Sequence, residues 1–182
     1  MPNTVANMLN AARRSMEEMV LPAIDTANPL AREQAQLIIQ ALGFVERQLP
    51  YLHAKDRAEM VAYATMTNEV LAGDLTGADE AVIAALRASL EEAQLLEGHG
   101  NPPSLSLQQA AARLADALGA LVRSLGDMSP SARLQVRRTV VSGSERLLDI
   151  HRAFFLPTGF DRAASALPSL ATLVHGEQYP AP

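Results

Sequence analysis

Residues 136–154 read VRRTVVSGSERLLDIHRAF, and the apolar positions in this stretch decide the fold class. Apolar or small residues recur in it with alternating gaps of four and three, which is the spacing of a helical packing seam. The seam consists of Val136, Val140, Gly143, Leu147, Ile150 and Phe154. The pattern predicts the longest helix of the chain, from Ser129-Pro130 to about Leu156. Gly143 would allow another helix to approach closely, at a cost of about 1 kcal/mol in helix propensity.

On either side of this seam, Pro and Gly divide the chain into segments whose apolar residues also follow helical spacing. We predict further helices at about 4–21, 29–49, 54–72, 78–96 and 106–125. The helix at 29–49 has the clearest amphipathic pattern, and its apolar residues are Leu37, Ile38, Ala41, Leu42, Val45 and Leu49. The helix at 54–72 is weakly patterned, because polar residues interrupt its apolar positions.

Residues that stabilise helix starts precede several of these segments. Asn28 and Pro29 are typical of a cap followed by a first-turn proline. Thr76 is the predicted cap of the fourth helix, and Ser106 with Gln109 resembles a capping box that would begin the fifth.

These six helices, with short loops and no alternating strand pattern, predict an all-α fold. We expect an up-and-down helical bundle, or a four-helix unit with a C-terminal helical pair. Residues 1–98 carry 7 Lys and Arg against 14 Asp and Glu, a net charge of −7, and form the predicted acidic four-helix unit. Residues 104–175 are expected to pack on it within one domain, with a short helix over 160–174 that is broken near Pro168. Residues 176–182 are expected to form a loose tail.

Composition narrows the classes of function. The 182 residues include no Cys, which excludes disulfides, thiolate catalysis and cysteine-based metal sites and agrees with a cytoplasmic location. No stretch approaches the roughly 18 apolar residues of a membrane span, so we expect a soluble protein with no membrane partner. A formal charge of −5 argues against nucleic acid as a partner.

The sequence lacks the motifs of several common catalytic sites. It contains no Glu-x-x-His pair for a dimetal bundle, no glycine-rich phosphate loop and no Gly-x-Ser-x-Gly elbow. Its four histidines share no short-range spacing. We therefore predict no catalytic residue, no metal site and no cofactor.

Two features indicate binding. Arg133 and Arg137 fall toward the apolar side of the longest helix, where their guanidinium groups could hold an anion or a partner's carboxylate. The alternative is that both side chains pack along the surface or pair with acids of the first half. The methionines of the first helix could likewise form a partner surface, although core filling is the commoner role. They are Met8, Met16 and Met19.

Three stretches together resemble a known bacterial family. They are Val20-Leu21-Pro22-Ala23, the segment 41–47 (ALGFVER), and the segment 85–90 (ALRASL) running on to Asn101-Pro102. This family consists of small helical proteins of unassigned function, often encoded beside an aminoglycoside-phosphotransferase-like kinase and an acyl-CoA dehydrogenase. The resemblance covers about residues 5–102, provides no site residue, and has no counterpart for residues from about 104 onward.

The resemblance implies an accessory role. The chain would be a non-catalytic partner of a kinase that acts on hydroxyacyl-CoA substrates, or of the acyl-CoA dehydrogenase in the same route. The alternative is a helical bundle that binds an acyl or CoA-like small molecule, with Arg133 and Arg137 near its anionic end. A two-fold homodimer is the commonest arrangement for a bundle with surplus apolar surface, and the sequence leaves that state open.

Overall fold

The computed structural model describes residues 4–159, 161 and 167–175, and this part of the chain is helical without a strand. The predicted all-α helical bundle is confirmed. The helices are α1 (Val5–Ser15), α2 (Leu21–Ala23), α3 (Pro29–Gln48), α4 (Leu52–Leu71), α5 (Glu80–Gly98), α6 (Ser104–Arg123), α7 (Pro130–Phe155) and α8 (Leu170–His175). A π-helical stretch, Met16–Val20, joins α1 to α2 without a break, so that these segments correspond to the first predicted helix.

The chain divides into two compact units. Unit 1 lies within Met1–Pro50 and Pro157–Phe160, and unit 2 lies within Tyr51–Leu156 and Asp161–Pro182. The predicted units divide near residue 98, whereas the compact units divide at Pro50, and α4 and α5 pack with α6 within one unit. The four-helix unit is therefore built from α4 to α7, and the helical pair is at the N-terminal end of the chain.

Helix α4 is the centre of unit 2, since it packs against α5, α6, α7 and α8. It is buried on two sides. Met60 and Ala64 join one core cluster with residues of α5 and α6, while Ala62, Met66 and Val70 join a second that includes residues of α7. Burial on two sides explains the weak pattern in the sequence, because an amphipathic pattern requires one side to face water.

The hydrogen bonds at the N-terminal ends of the helices can be compared with the predicted capping residues. Asn28 Oδ1 accepts a hydrogen bond from the Ala31 amide and Ser129 Oγ accepts one from the Ala132 amide, which confirms those two starts. The prediction for Thr76 is wrong: its hydroxyl donates to Asp74 Oδ1 at 2.7 Å, and Asp79 caps α5 instead. The predicted capping box is also wrong, because α6 already begins at Ser104.

The seam of α7 packs as its spacing predicts. Its buried residues include Val136, Leu147, Ile150 and Phe154. At Gly143 the neighbour is the Met66 side chain, which occupies the space that a β-carbon would need. Of the helix predicted over 160–174, the described residues are 161 and 167–174, and among them the helix α8 begins at Leu170; residues 160, 162–166 and the predicted tail at 176–182 lie outside the described residues.

The buried hydroxyl of Thr67 generates a stability prediction. Thr67 is 0% exposed, and its Oγ1 has no hydrogen-bond partner among the described residues. Because an unpaired buried hydroxyl is costly, we expect Thr67→Val to raise the free energy of unfolding by about 1 kcal/mol, measured by urea unfolding. Thr65→Val, at an exposed position of the same helix, is the matched control and should change stability by less than about 0.5 kcal/mol. A Thr67→Val protein less stable than the wild type would contradict this account.

The contact at Gly143 generates a second prediction. A β-carbon there would lie 2.8 Å from Met66 Cγ and 3.0 Å from Met66 Cβ. We expect Gly143→Ala to lower the free energy of unfolding by about 1–3 kcal/mol, since overpacking outweighs the gain in helix propensity. Gly98→Ala is the control, because a β-carbon at Gly98 meets no atom within 4 Å. Equal unfolding midpoints for the two variants would show that the core accommodates the methyl group.

Candidate interaction surface

Unit 1 is a helical hairpin with little buried surface. Helix α1 and the π-helical stretch pack against α3. Among the described residues of unit 1, the buried ones are Ala35, Gly43 and Gln48, all of them in α3. A pair of helices that buries so few side chains has almost no core of its own.

A polar network joins the two helices. Glu46 of α3 accepts hydrogen bonds from Asn10 Nδ2 at 2.7 Å and from Arg13 Nε at 3.0 Å, and Arg13 Nη1 also donates to Glu17 at 2.9 Å. The bonds from Asn10 and Arg13 lower the pKa of Glu46, and the bonds to Glu46 and Glu17 raise the pKa of Arg13. These directed bonds fix how α1 and α3 meet.

The hairpin leaves large apolar side chains exposed. We call this set the hairpin face, and its members are between 39% and 70% exposed. They are Val5, Met8, Met19 and Val20 from the first helical segment, and Leu30, Leu37, Ile38 and Val45 from α3. Three of them belong to the amphipathic stripe predicted for 29–49, so that stripe exists but faces solvent. Of the predicted methionine surface, Met8 and Met19 are exposed and Met16 is half-buried.

The apolar residues of the two helices emerge on one side of the hairpin. At 100° per residue, the exposed apolar residues of α3 lie on average about 130° from its packed side, and Val5 and Met8 of α1 lie on average about 90° from its packed side, in the same rotational sense. In α1 the packed side includes Leu9 and Arg13, and in α3 it includes Ala35 and Ile39. Because a short connection makes the helices antiparallel, rotations in the same sense turn both exposed sides toward the same side of the pair. The hairpin face therefore lies largely on one side of the hairpin, and a group of exposed apolar side chains is typical of a binding site.

A groove of about 1060 Å³ also lies in unit 1. Its walls combine apolar residues such as Leu37 and Phe44 with the charged residues Arg13, Glu17 and Arg47. Arg13 and Glu17 already pair with each other. The groove therefore offers apolar contact beside charges that are largely neutralised.

A charged cluster in unit 2 ties α4 to α7. Glu59 Oε1 lies 2.6 Å from Lys55 Nζ and 3.2 Å from His151 Nε2, although neither contact has the angles of a hydrogen bond. Lys55 Nζ lies 5.2 Å from the centre of the Phe154 ring. Burial, and to a smaller extent the Glu59 charge, raises the pKa of Tyr63. These side chains bring α4 and α7 into contact, and the cluster presents no nucleophile with an activating base.

The histidines are dispersed. A ring nitrogen of His53 lies 2.9 Å from the Pro102 carbonyl, and one of His99 lies 2.6 Å from the Leu95 carbonyl. His175 is at the end of α8. Within the described ranges, no group of three or more His, Cys, Asp or Glu side chains is placed to hold a metal ion.

The two predicted binding arginines have different environments. Arg133 is half-buried, and its Nη2 donates to the carbonyls of Gly126 at 3.0 Å and Met128 at 3.1 Å. Arg137 is exposed and lines a shallow groove together with Arg138 and Glu145, whereas Arg133 does not line that groove. The structure therefore gives Arg133 a role in holding the turn before α7. An anion site at these two residues stays a prediction.

The chain matches no family model, no curated protein and no solved structure. None of the described helices combines the length and apolar character that a membrane crossing requires.

The network at Glu46 predicts a pH dependence. Because the folded-state pKa of Glu46 is lowered below the ordinary value of about 4.3, its carboxylate stabilises the fold at neutral pH, and this contribution is lost as the pH falls through the lowered pKa. We expect Glu46→Gln to speed amide exchange in α1 and α3 at pH 7. The helical circular dichroism of variant and wild type in urea should then converge as the pH falls below about 4. Glu33→Gln, at an exposed position of α3, should show neither effect. A difference that persists unchanged at the lowest pH would rule out the carboxylate as its source.

Proposed function

We propose that the chain is a non-catalytic accessory protein that binds a partner enzyme through the hairpin face. One observation carries the proposal: unit 1 exposes eight large apolar side chains while three of its described residues are buried. In soluble proteins most helix stability comes from burial of an apolar face, and here that face is uncovered. A partner that covers it would complete the core that the hairpin lacks.

The chemistry of the face indicates the kind of contact. Leu37, Ile38 and Val45 lie on one side of α3 at the spacing that lets a helix pack along an apolar groove or against other helices. Met8 and Met19 add unbranched, polarisable side chains that adapt to a partner's shape. We therefore expect the partner to contribute an apolar groove or helix pair.

The resemblance of residues 5–102 suggests which enzymes to test first. They are an aminoglycoside-phosphotransferase-like kinase acting on hydroxyacyl-CoA substrates and an acyl-CoA dehydrogenase. The proposal places the chain in the cytoplasm with them, in agreement with its lack of cysteine.

The groove of unit 1 supports a second candidate. Its volume of about 1060 Å³ is large enough for an acyl or CoA-like molecule, and Arg47 lines it. The two candidates differ in what stabilises the isolated chain, because a bound small molecule raises the melting temperature without any partner protein.

The proposal predicts the effect of a charge on the hairpin face. In affinity purifications from the native cell, we expect wild-type chain to retain the kinase or the dehydrogenase, identified by mass spectrometry. Ile38→Asp should reduce that recovery at least ~10-fold, since burying an unpaired carboxylate at an interface is costly. Leu95→Asp is the matched control, because Leu95 is also an exposed apolar residue, on α5 of unit 2, and it should retain the partner.

Three results would count against this function. The first is the absence of both enzymes from the wild-type purification. The second is equal recovery with Ile38→Asp, and the third is full activity and solubility of the kinase without the chain. A rise in melting temperature with acyl-CoA would instead support the small-molecule candidate. Circular dichroism of each variant should show wild-type helix content, because the substituted positions are exposed.

A further inference from the structure

Helix α7 of unit 2 carries a second exposed apolar stripe. Leu134, Val141, Leu148 and Phe155 recur at intervals of seven residues and are 50%, 64%, 57% and 51% exposed. At 100° per residue they lie about 130° around the helix from the buried seam, which packs into the core through residues such as Val136 and Ile150. We call these four residues the α7 stripe. Helix α7 is therefore apolar on two sides, and Leu134, Val141 and Leu148 of the stripe are exposed on the second of them.

The spacing of the stripe fits a second helix. Seven residues of an α-helix turn through about 20° less than two full turns, so a seven-residue repeat follows a partner helix that wraps with a left-handed twist. Val141 lies in a shallow groove of about 350 Å³ that is also lined by Arg137, Arg138, Ser142 and Glu145. The small side chain of Ser142 leaves room at Val141 for an apolar side chain from a partner.

We propose that the α7 stripe binds the α7 stripe of a second copy of this chain, with the two helices antiparallel across a two-fold axis at Val141. In this arrangement, each residue before Val141 faces the residue of the second copy that lies the same number of positions after Val141. Leu134 and Leu148 are each seven residues from Val141. The stripe is therefore self-complementary, with one Val–Val layer on the axis and one Leu–Leu layer on either side.

The charges beside the stripe favour a second copy in this orientation. Arg138 precedes Val141 by three residues and Glu145 follows it by four, and helical geometry places both on the same flank of the stripe. In the antiparallel pair, Arg138 of each copy lies beside Glu145 of the other. The two residues are offset along the helix by one residue, which is about 1.5 Å. Within the described part of the chain, neither residue has an ion-pair partner. In a parallel pair, the same flank of the two copies would lie on opposite edges of the interface, so Arg138 of one copy would not meet Glu145 of the other, and the charge pairing favours the antiparallel orientation.

The size of the stripe sets the strength of the interface. Three apolar layers from one helix per copy place it at the small end of specific interfaces, which is below about 1,200 Å². We expect a reversible dimer whose population rises with protein concentration. This inference uses a different surface from the hairpin face, so it holds or fails independently of the proposed function.

Sedimentation velocity of the full chain over a concentration series tests the dimer. The wild type should shift from monomer to dimer with increasing concentration, and Val141→Asp should raise the dissociation constant at least ~10-fold, because two carboxylates would meet on the axis. Leu95→Asp should leave the constant unchanged. A wild type that stays monomeric at all concentrations would overturn the proposal. A dimer that is dissolved by Ile38→Asp and not by Val141→Asp would overturn it as well and would assign self-association to the hairpin face.

A charge exchange tests the predicted pairing. Arg138→Glu and Glu145→Arg should each weaken the dimer, and the double variant should restore it, because the pair is re-formed with its signs exchanged. Since the chain has no native Cys, engineered cysteines can then report the orientation. Under mild oxidation, Leu134→Cys mixed with Leu148→Cys should form a crosslinked dimer, whereas neither variant alone should do so. Efficient crosslinking of Leu134→Cys with itself would indicate a parallel pair and overturn the proposed geometry.

Discussion

Burial of α4 on two sides is the constraint on which unit 2 depends. One side packs in a cluster with α5 and α6, and the other packs in a cluster that includes α7 as well, so the side chains of α4 must fill both interfaces without holding the neighbours apart. Alanines at 58, 62 and 64 meet this requirement, since a methyl group lets another helix approach closely. Met66 then fills the space that Gly143 leaves open on α7. The glycine in the α7 seam and the small residues of α4 thus together allow α4 and α7 to pack closely.

The parts of the fold that the sequence predicts are those in which one local signal dominates. The seam of α7 and the start of α3 at Asn28 depend on periodicity and capping within a few residues, and both are confirmed. Helix α4 is weakly predicted because an amphipathic period requires one buried side and one exposed side, and α4 is buried on two sides. Thr76 is wrongly predicted because its hydroxyl bonds Asp74, and the amide of Ser129 binds its backbone carbonyl. Those partners depend on how the loop after α4 meets the start of α7.

The candidate surfaces are also only partly predictable from the sequence. Amphipathicity predicts that the side of α3 carrying Leu37 and Ile38 avoids water. It does not show whether another part of the fold packs against that side. Similarly, the sequence gives no reason to distinguish Arg133 from Arg137, because the carbonyls that engage Arg133 reach it only through the turn at Leu125–Asp127. The α7 stripe is not predicted from the sequence, because the stronger seam explains the helix by itself. The seven-residue spacing of Leu134, Val141 and Leu148 was the available signal.

The two proposed surfaces would reinforce each other. A chain that pairs through the α7 stripe presents two hairpin faces in one particle, and a partner with two copies of its own binding groove could engage both. The second contact would then form within one complex, at an effective concentration that far exceeds that of free protein, provided that the geometry permits both contacts. A small self-association interface and a small partner interface are each weak alone, and coupling them makes assembly depend on both. Such coupling gives a reason for two separate apolar surfaces on a chain whose charged clusters serve to hold helices together.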